Sequence, residues 1–210
     1  MSDYSLMSDS ISKSFGRRLI FSDINFKWEE KGIFGISGPN GSGKSTLVKI
    51  IAGLISPSRG KLIHKNSTGE IIPEKLHNHL GFVSPYLVLY EEFSAWENLK
   101  IFAEIRGVTF DEARILFYLK EFLLESRKDD LVKTYSSGMK QRLKFIFALM
   151  HSPEVLIFDE PTSNLDDDGK KVVYKIIQDQ GKHVVVIVAS NETKDLELCN
   201  EIILLEKFKN

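Results

Sequence analysis

The chain has 210 residues, 42% hydrophobic and 27% charged, with a net charge of −1, which suits one α/β domain with a substantial core and an ordinary globular composition. Neither an excess of basic charge nor a basic run is present, which argues against nucleic acid or an anionic membrane surface as partner. One cysteine, Cys199, excludes an intramolecular disulfide and fits a reducing compartment; the polar start MSDYSLMSDS has no leader pattern, and no apolar run approaches the ~18 residues of a membrane span, so any membrane portion is expected on another chain.

In chain order, the first ~30 residues alternate apolar and polar (SLMSDSIS, IFSDINFKW), which predicts half-exposed antiparallel strands. Ile33 to Ser37 (IFGIS) reads as a buried strand running into a glycine loop, and Ser45 to Leu54 as the helix that follows. Gly81-Phe82-Val83 reads as another strand. From about Tyr86 to His151 no buried strand is evident and the pattern is helical. Thr109 and Glu112 fit a capping box, with Leu116, Leu119 and Leu123 on one face of the helix behind it. A second helix, after Ser136, carries Met139, Leu143, Ile146 and Met150 on one side. These stripes read as core packing. Val155 to Phe158 (VLIF) and Val184 to Ala189 (VVVIVA) are continuous apolar runs, as expected for strands covered on both faces. The expectation is an α/β fold with a mainly parallel sheet.

Gly38-Pro39-Asn40-Gly41-Ser42-Gly43-Lys44-Ser45-Thr46 meets the pattern G-x-x-x-x-G-K-[ST]. Glycines let successive N–H groups turn inward onto phosphate oxygens, and the next helix offers its positive end to the same anion. Lys44 is expected on the β- and γ-phosphates, the Ser45 hydroxyl on Mg²⁺, and Thr46 on a phosphate. A chance match in a chain this long is on the order of one in a hundred, and here the match also sits between a predicted strand and a predicted helix.

VLIF ends in Asp159-Glu160. In a parallel sheet ligands sit beyond the carboxyl ends of the strands. Asp159 is therefore expected to face magnesium, and Glu160 to orient or deprotonate an attacking water. Alone, an acidic pair after a strand is a weak signal. Behind a phosphate loop it is a strong one.

Over nearly its whole length the chain resembles the nucleotide-binding domains of ABC transporters. Asp159-Glu160-Pro161-Thr162-Ser163-Asn164-Leu165-Asp166 is similar to the family's DEPTSxLD run, and Tyr135-Ser136-Ser137-Gly138-Met139-Lys140-Gln141-Arg142 to its LSGGQ signature with the basic stretch behind it. The resemblance implies a P-loop NTPase core over about 1–85 and 151–210, with an N-terminal antiparallel β subdomain, and an inserted helical subdomain over about 86–150. It implies that Ser136 and Gly138 complete the ATP site of a paired subunit in a head-to-tail dimer, while Ser163 to Asp166 touch that subunit. Phe15 stands where the family stacks an aromatic on adenine. Phe93-Ser94-Ala95-Trp96-Glu97-Asn98-Leu99 resembles the segment opening the groove for a membrane partner, where Phe93 and Trp96 are either exposed anchors or core.

Two departures stand out. Pro85 occupies the place of a glutamine that contacts Mg²⁺ and water in the family; Ser84, Tyr86 or a water are the candidates to replace it. Asn191 occupies the place of a histidine that touches the γ-phosphate; an amide can donate a hydrogen bond but cannot carry a proton near neutral pH. His64, His77, His79, His151 and His183 have no better claim. The expected function is the ATP-binding subunit of an ABC transporter. With ATP and Mg²⁺ as cofactors it would hydrolyse slowly and drive a separate transmembrane permease from the cytoplasmic face of the membrane. The competing readings are a regulatory module with little turnover and a soluble ABC ATPase outside transport.

Overall fold

A computed structural model describes residues 4–209, so the first three residues of the polar start lie outside the described residues. The elements run β1 (Ser5–Phe15), β2 (Arg18–Trp28), β3 (Gly32–Ser37), α1 (Lys44–Ile51), β4 (Arg59–Asn66), β5 (Gly69–Glu70), β6 (Leu80–Val83), α2 (Ala95–Arg106), α3 (Glu112–Glu121) and α4 (Ser137–Leu149). They continue as β7 (Val155–Asp159), α5 (Asp167–Gly181), β8 (Val185–Ser190), α6 (Thr193–Leu196) and β9 (Glu201–Leu204). Two sheets result: an antiparallel one in the order β2-β1-β4-β5 and a parallel one in the order β6-β7-β8-β3-β9.

The apolar runs of β7 and β8 are buried at every residue, because each face of the parallel sheet has its own cover. Side chains alternate across the pleat. Leu156, Phe158, Val186 and Val188 pack with Leu99, Leu119, Leu143 and Ile177 of α2 to α5. Val155, Ile157 and Ile187 point the other way, into a core shared with Leu47 and Ile51 of α1 and with Leu6, Ile11, Phe21, Ile24 and Trp28 of the antiparallel sheet. The N-terminal strands thus use their alternation to bury one face. Ser10 and Asp23 sit in the left-handed region beside shifts in the β1–β2 register, between Ser8 and Ile11 and between Ile11 and Lys13.

Between β6 and β7 the chain is helical, apart from one isolated bridge between Ser94 and Leu131. Its caps correct the sequence-based expectation. The helix expected behind Thr109 starts later, at Glu112, and Asp111 caps it by accepting from the Arg114 amide at 3.0 Å. Asp is as good a cap as Thr and sits next to the first helical residue. The reciprocal capping box lies instead at Ser94 and Glu97, opening α2: the Ser94 hydroxyl accepts from the Glu97 amide at 3.2 Å and the Glu97 carboxylate from the Ser94 amide at 2.8 Å. Leu123 also departs from the expected stripe. α3 ends at Glu121, Leu123 takes a left-handed φ of 56° and faces solvent, and Phe122 is buried beside Leu119. On α4, Leu143, Ile146 and Met150 are buried as expected, with Met139 half-buried.

Under the antiparallel sheet, the Nδ1 of buried His64 hydrogen-bonds the Tyr4 hydroxyl, and burial pulls the His64 pKa from 6.5 down to about 4. His151, whose Nε2 lies 3.0 Å from both the Arg106 guanidinium and the Leu80 carbonyl, is lowered to about 4 as well, first by burial and then by the Arg106 charge. The unfolded chain takes up these protons as pH falls through 6.5, while the folded chain resists until about 4. Stability is therefore full above that window and is lost on going down through it, by about 3 kcal/mol for His64. The urea midpoint of the native protein should fall more steeply between pH 6.5 and 4.5 than that of His64→Gln, whose amide cannot titrate. Parallel curves would place the acid sensitivity elsewhere.

Candidate nucleotide-binding site

Parallel pairing fixes which strand ends meet. Ser37 of β3 lies opposite Ser190 of β8, and Asp159 of β7 opposite Ala189. The loop after β3, the acids after β7 and the turn after β8 therefore emerge side by side at the carboxyl edge of the sheet.

The loop from Gly38 ends at Gly43, which caps α1 with φ 109°. A Cβ there would lie 2.6 Å from Ile20 Cγ2, so both the angle and the space demand glycine. α1 has no side-chain cap and no acid in its first turn. Its first amides are left to whatever anion occupies the loop. Lys44, 5% exposed, folds back across the loop; its Nζ donates to the Gly38 carbonyl at 2.8 Å and lies 3.2 Å from Glu160 Oε1. Burying an ammonium is costly unless it is paired in this way.

The Ser45 hydroxyl donates to Asp159 Oδ1 at 3.2 Å, while Asp159 Oδ2 is buried with no hydrogen-bond partner. Burial raises the Asp159 pKa, and the Ser45 hydrogen bond partly offsets it. A hydroxyl and a carboxylate with a free buried oxygen suit a hard cation that takes oxygen ligands. Among the described residues no group of three or more His, Cys, Asp or Glu could hold a metal ion.

Asn40, Gly41, Gly43, Lys44, Ser45 and Thr46 line a cavity of about 390 Å³ together with Glu160. Gly38, Pro39 and Ser42 shape the loop from behind: the Ser42 amide donates to the Pro39 carbonyl at 3.0 Å and the Ser42 side chain is buried. Pro85, Tyr86, Arg18 and Ile20 complete the lining. Nothing in the sequence marked Arg18 or Ile20, since their approach depends on how β2 crosses the loop. Of the candidates near Pro85, Ser84 is buried and its hydroxyl accepts from the Tyr86 amide at 3.2 Å. Tyr86 faces the cavity, its ring 4.6 Å beneath Lys49 Nζ.

Phe15 is 53% exposed and is not in the lining of this cavity; Lys13 Nζ lies 4.9 Å over its ring, and its strand partner is Arg18, which does line it. Glu160 takes a left-handed φ of 51°, an uncommon position for a non-glycine residue. Its backbone N–H donates a hydrogen bond to the Ala189 carbonyl at 2.8 Å. Asn191 is exposed just past β8. Ser190 before it, missed by the sequence reading, is fully buried with its hydroxyl 3.3 Å from Glu160 Oε2.

Ser136 and Gly138 are not brought to this cavity. Ser136 caps α4, its hydroxyl accepting from the Met139 amide at 3.2 Å. A Cβ on Gly138 would come 3.2 Å from the Asn164 carbonyl, so this turn packs on the loop from Ser163 to Asp166. Asp166 in turn caps α5 by accepting from the Gly169 amide at 2.9 Å. Phe93 is exposed, and Trp96 is half-buried with its ring edge-on to Phe110. Of the two, Phe93 is thus the exposed one.

The family model described as ABC transporter matches residues 21–163. The ABC transporter ATP-binding protein YhcH of Bacillus subtilis is 35% identical over 206 residues, covering 95% of this chain and 66% of the relative. The linearmycin resistance ATP-binding protein LnrL of the same organism is 32% identical, covering 96% and 66%. The lantibiotic transport ATP-binding protein SrtF of Streptococcus pyogenes is 32% identical, covering 91% and 82%. The chain thus spans about two thirds of the length of the Bacillus subtilis relatives. Among solved structures, an ATP-binding subunit of an ABC transporter superposes with TM-score 0.81 at 26% identity over 95% of this chain and 85% of that one. A fold match at 23% identity, from Pyrococcus furiosus, has TM-score 0.84 over 98% and 100%. With a phosphate loop, an acidic strand end and a capped signature helix in matching order, the chain belongs to the ABC transporter family of ATP-binding proteins.

Proposed function

We propose that this chain binds Mg-ATP and hydrolyses it in a head-to-tail pair of subunits, driving transport by a separate membrane permease. The observation that carries the reading is the convergence of the uncapped α1 N-terminus, Lys44, Ser45 and Glu160 on one cavity, with Asp159 hydrogen-bonded to Ser45 behind it. Loop amides and Lys44 hold the phosphates. Ser45 and Asp159 would hold magnesium, which supplies neutralisation of charge on the phosphate oxygens. Glu160 accepts hydrogen from the attacking water, and its backbone tie to Ala189 fixes where the carboxylate starts.

The placement of Ser136 and Gly138 away from this cavity supports a site shared between two chains. Each would offer its α4 N-terminus, with the Ser136 hydroxyl, to the γ-phosphate bound by the other. In this reading residues 1–85 and 151–210 form the ATP-binding core and 86–150 the helical subdomain. Exposed Phe93 belongs to the surface facing the permease. Attachment at the cytoplasmic face would run through that permease; among the described residues no helix is long and apolar enough to cross a membrane. The linearmycin resistance and lantibiotic transport relatives support a transport or resistance role. Phe15 is proposed to reach adenine by moving off Lys13.

A regulatory module with little turnover is the second reading. Its support is Pro85, which has no side-chain donor or acceptor, and Asn191, which cannot carry a proton near neutral pH.

Lys44→Ala should weaken ATP binding by roughly tenfold or more, since it removes a charge-assisted contact. Glu160→Gln should keep ATP affinity and lose roughly a hundredfold in phosphate release. Equal rates for Glu160→Gln and the native protein would remove Glu160 from the mechanism, and normal binding with no release in the native protein would favour the regulatory module. With Mg-ATP, Glu160→Gln should elute as a dimer. Adding Gly138→Asp, which sets a carboxylate against the partner's γ-phosphate, should return it to monomer without changing ATP affinity in the monomer. A dimer that survives the second substitution would exclude the shared site.

A further inference from the structure

The end of β8 carries a buried polar cluster that the proposed mechanism does not use. Asp195, on α6, is 1% exposed. Its carboxylate accepts from the Thr162 hydroxyl at 2.9 and 3.1 Å, from the Tyr174 hydroxyl at 2.9 Å and from the Ser190 hydroxyl at 2.7 Å. Ser190, fully buried, also accepts from the Glu192 amide at 3.0 Å and lies 3.3 Å from Glu160 Oε2. A hydroxyl has one hydrogen to give. Two carboxylates, Asp195 and Glu160, therefore compete for it.

The distances show how the competition is divided. With Lys44 Nζ 3.2 Å from Glu160 Oε1, Glu160 has a cation beside it, and the Ser190 hydrogen points to the nearer Asp195. A phosphate loop lysine that engages nucleotide phosphates has less of its charge left for Glu160. Asp195 keeps the Thr162 and Tyr174 hydroxyls whatever Ser190 does. The carboxylate left short of donors is then Glu160, and a rotation about the Ser190 Cβ–Oγ bond supplies one. No bond to carbon or phosphorus is made or broken in that rotation, and no proton changes owner.

We propose that Ser190 is the positioning residue for Glu160, a hydroxyl that Asp195 holds while Lys44 is on the carboxylate and that turns to Glu160 when nucleotide draws Lys44 away. This assignment rests on the reading of Glu160 as the group that accepts hydrogen from water. It gives this chain a hydrogen-bond donor on Glu160 one residue before Asn191, where the family resemblance expects a histidine. Asp195 is the anchor. Replacing it would strand the buried Thr162 hydroxyl and the half-buried Tyr174 hydroxyl and disturb the fold, so Ser190 is the residue to change.

The experiment is steady-state ATP hydrolysis by the purified full chain with Mg²⁺, comparing native protein with Ser190→Ala, Ser190→Thr, Glu160→Gln and Glu160→Gln/Ser190→Ala. Equilibrium ATP binding and thermal midpoint are measured on each. Ser190→Ala should lose roughly tenfold to a hundredfold in kcat with KM and ATP affinity within about twofold, because Ser190 does not line the phosphate cavity. Ser190→Thr keeps the hydroxyl and should recover most of the rate. In the Glu160→Gln background, Ser190→Ala should change nothing further, because the group it positions is gone. A Ser190→Ala protein that is folded and hydrolyses like the native one, beside an inactive Glu160→Gln, overturns the positioning role alone. Ser190→Thr as impaired as Ser190→Ala, or KM rising in step with the loss of kcat, overturns it as well. Glu160→Gln as active as the native protein removes the reading beneath it, and the role of Ser190 with it.

Discussion

The parallel pairing of β8 with both β3 and β7 is the constraint on which the rest depends. Parallel strands put like ends together, so the three turns that leave β3, β7 and β8 must meet at one edge. A slip of one residue would turn Val155 and Ile157 toward the cover that now receives Leu156 and Phe158, and would carry Asp159 away from Ser45. The register is held because both faces are buried: each face has its own apolar set and its own covering layer, and neither layer accepts the other's side chains without voids or clashes.

Within that frame the site gathers charge where water is scarce. Lys44 and Asp159 are both buried beside Glu160. Charges so placed are costly unless paired, and the pairing is incomplete by design of the geometry: the Lys44 ammonium has a carbonyl and a carboxylate, while Asp159 retains an unpartnered oxygen. Groups held by the fold and partly withdrawn from water act on a bound charge more strongly than the same groups free in solution. The left-handed backbone at Glu160 belongs to the same account. A conformation that costs of order 1 kcal/mol is kept because its amide is bonded to β8, and it turns the carboxylate back toward Lys44.

The helices between β6 and β7 share their core with the inner face of the sheet: Leu99, Leu119 and Leu143 pack in one cluster with Phe158 and Val188. The signature turn before α4 touches the loop at Asn164. That loop leads from Glu160 to the cap of α5 at Asp166. The start of α4 and the acid pair are thus joined through a few short, packed steps along the chain.

Much of this was legible in the residues. The phosphate loop, the buried strands at Val155 and Val185, the acid pair and the Ser136 cap follow from local rules: glycine backbone freedom, continuous apolar runs for strands covered on both faces and capping chemistry act over a few residues. The misreadings were local competitions. Thr109 lost to Asp111 as a cap because the helix began two residues later, and Leu123 lost to Phe122 as a core residue because the helix ended before its stripe did. What only the tertiary structure decided are relations between segments far apart in sequence. These are Arg18 and Ile20 at the cavity mouth, Tyr86 rather than Ser84 facing it, and Ser190 on Glu160 held by Asp195. No spacing rule encodes them, because each depends on the order and register in which the strands pair, a property set by the packing of the whole core and not by any one stretch of chain.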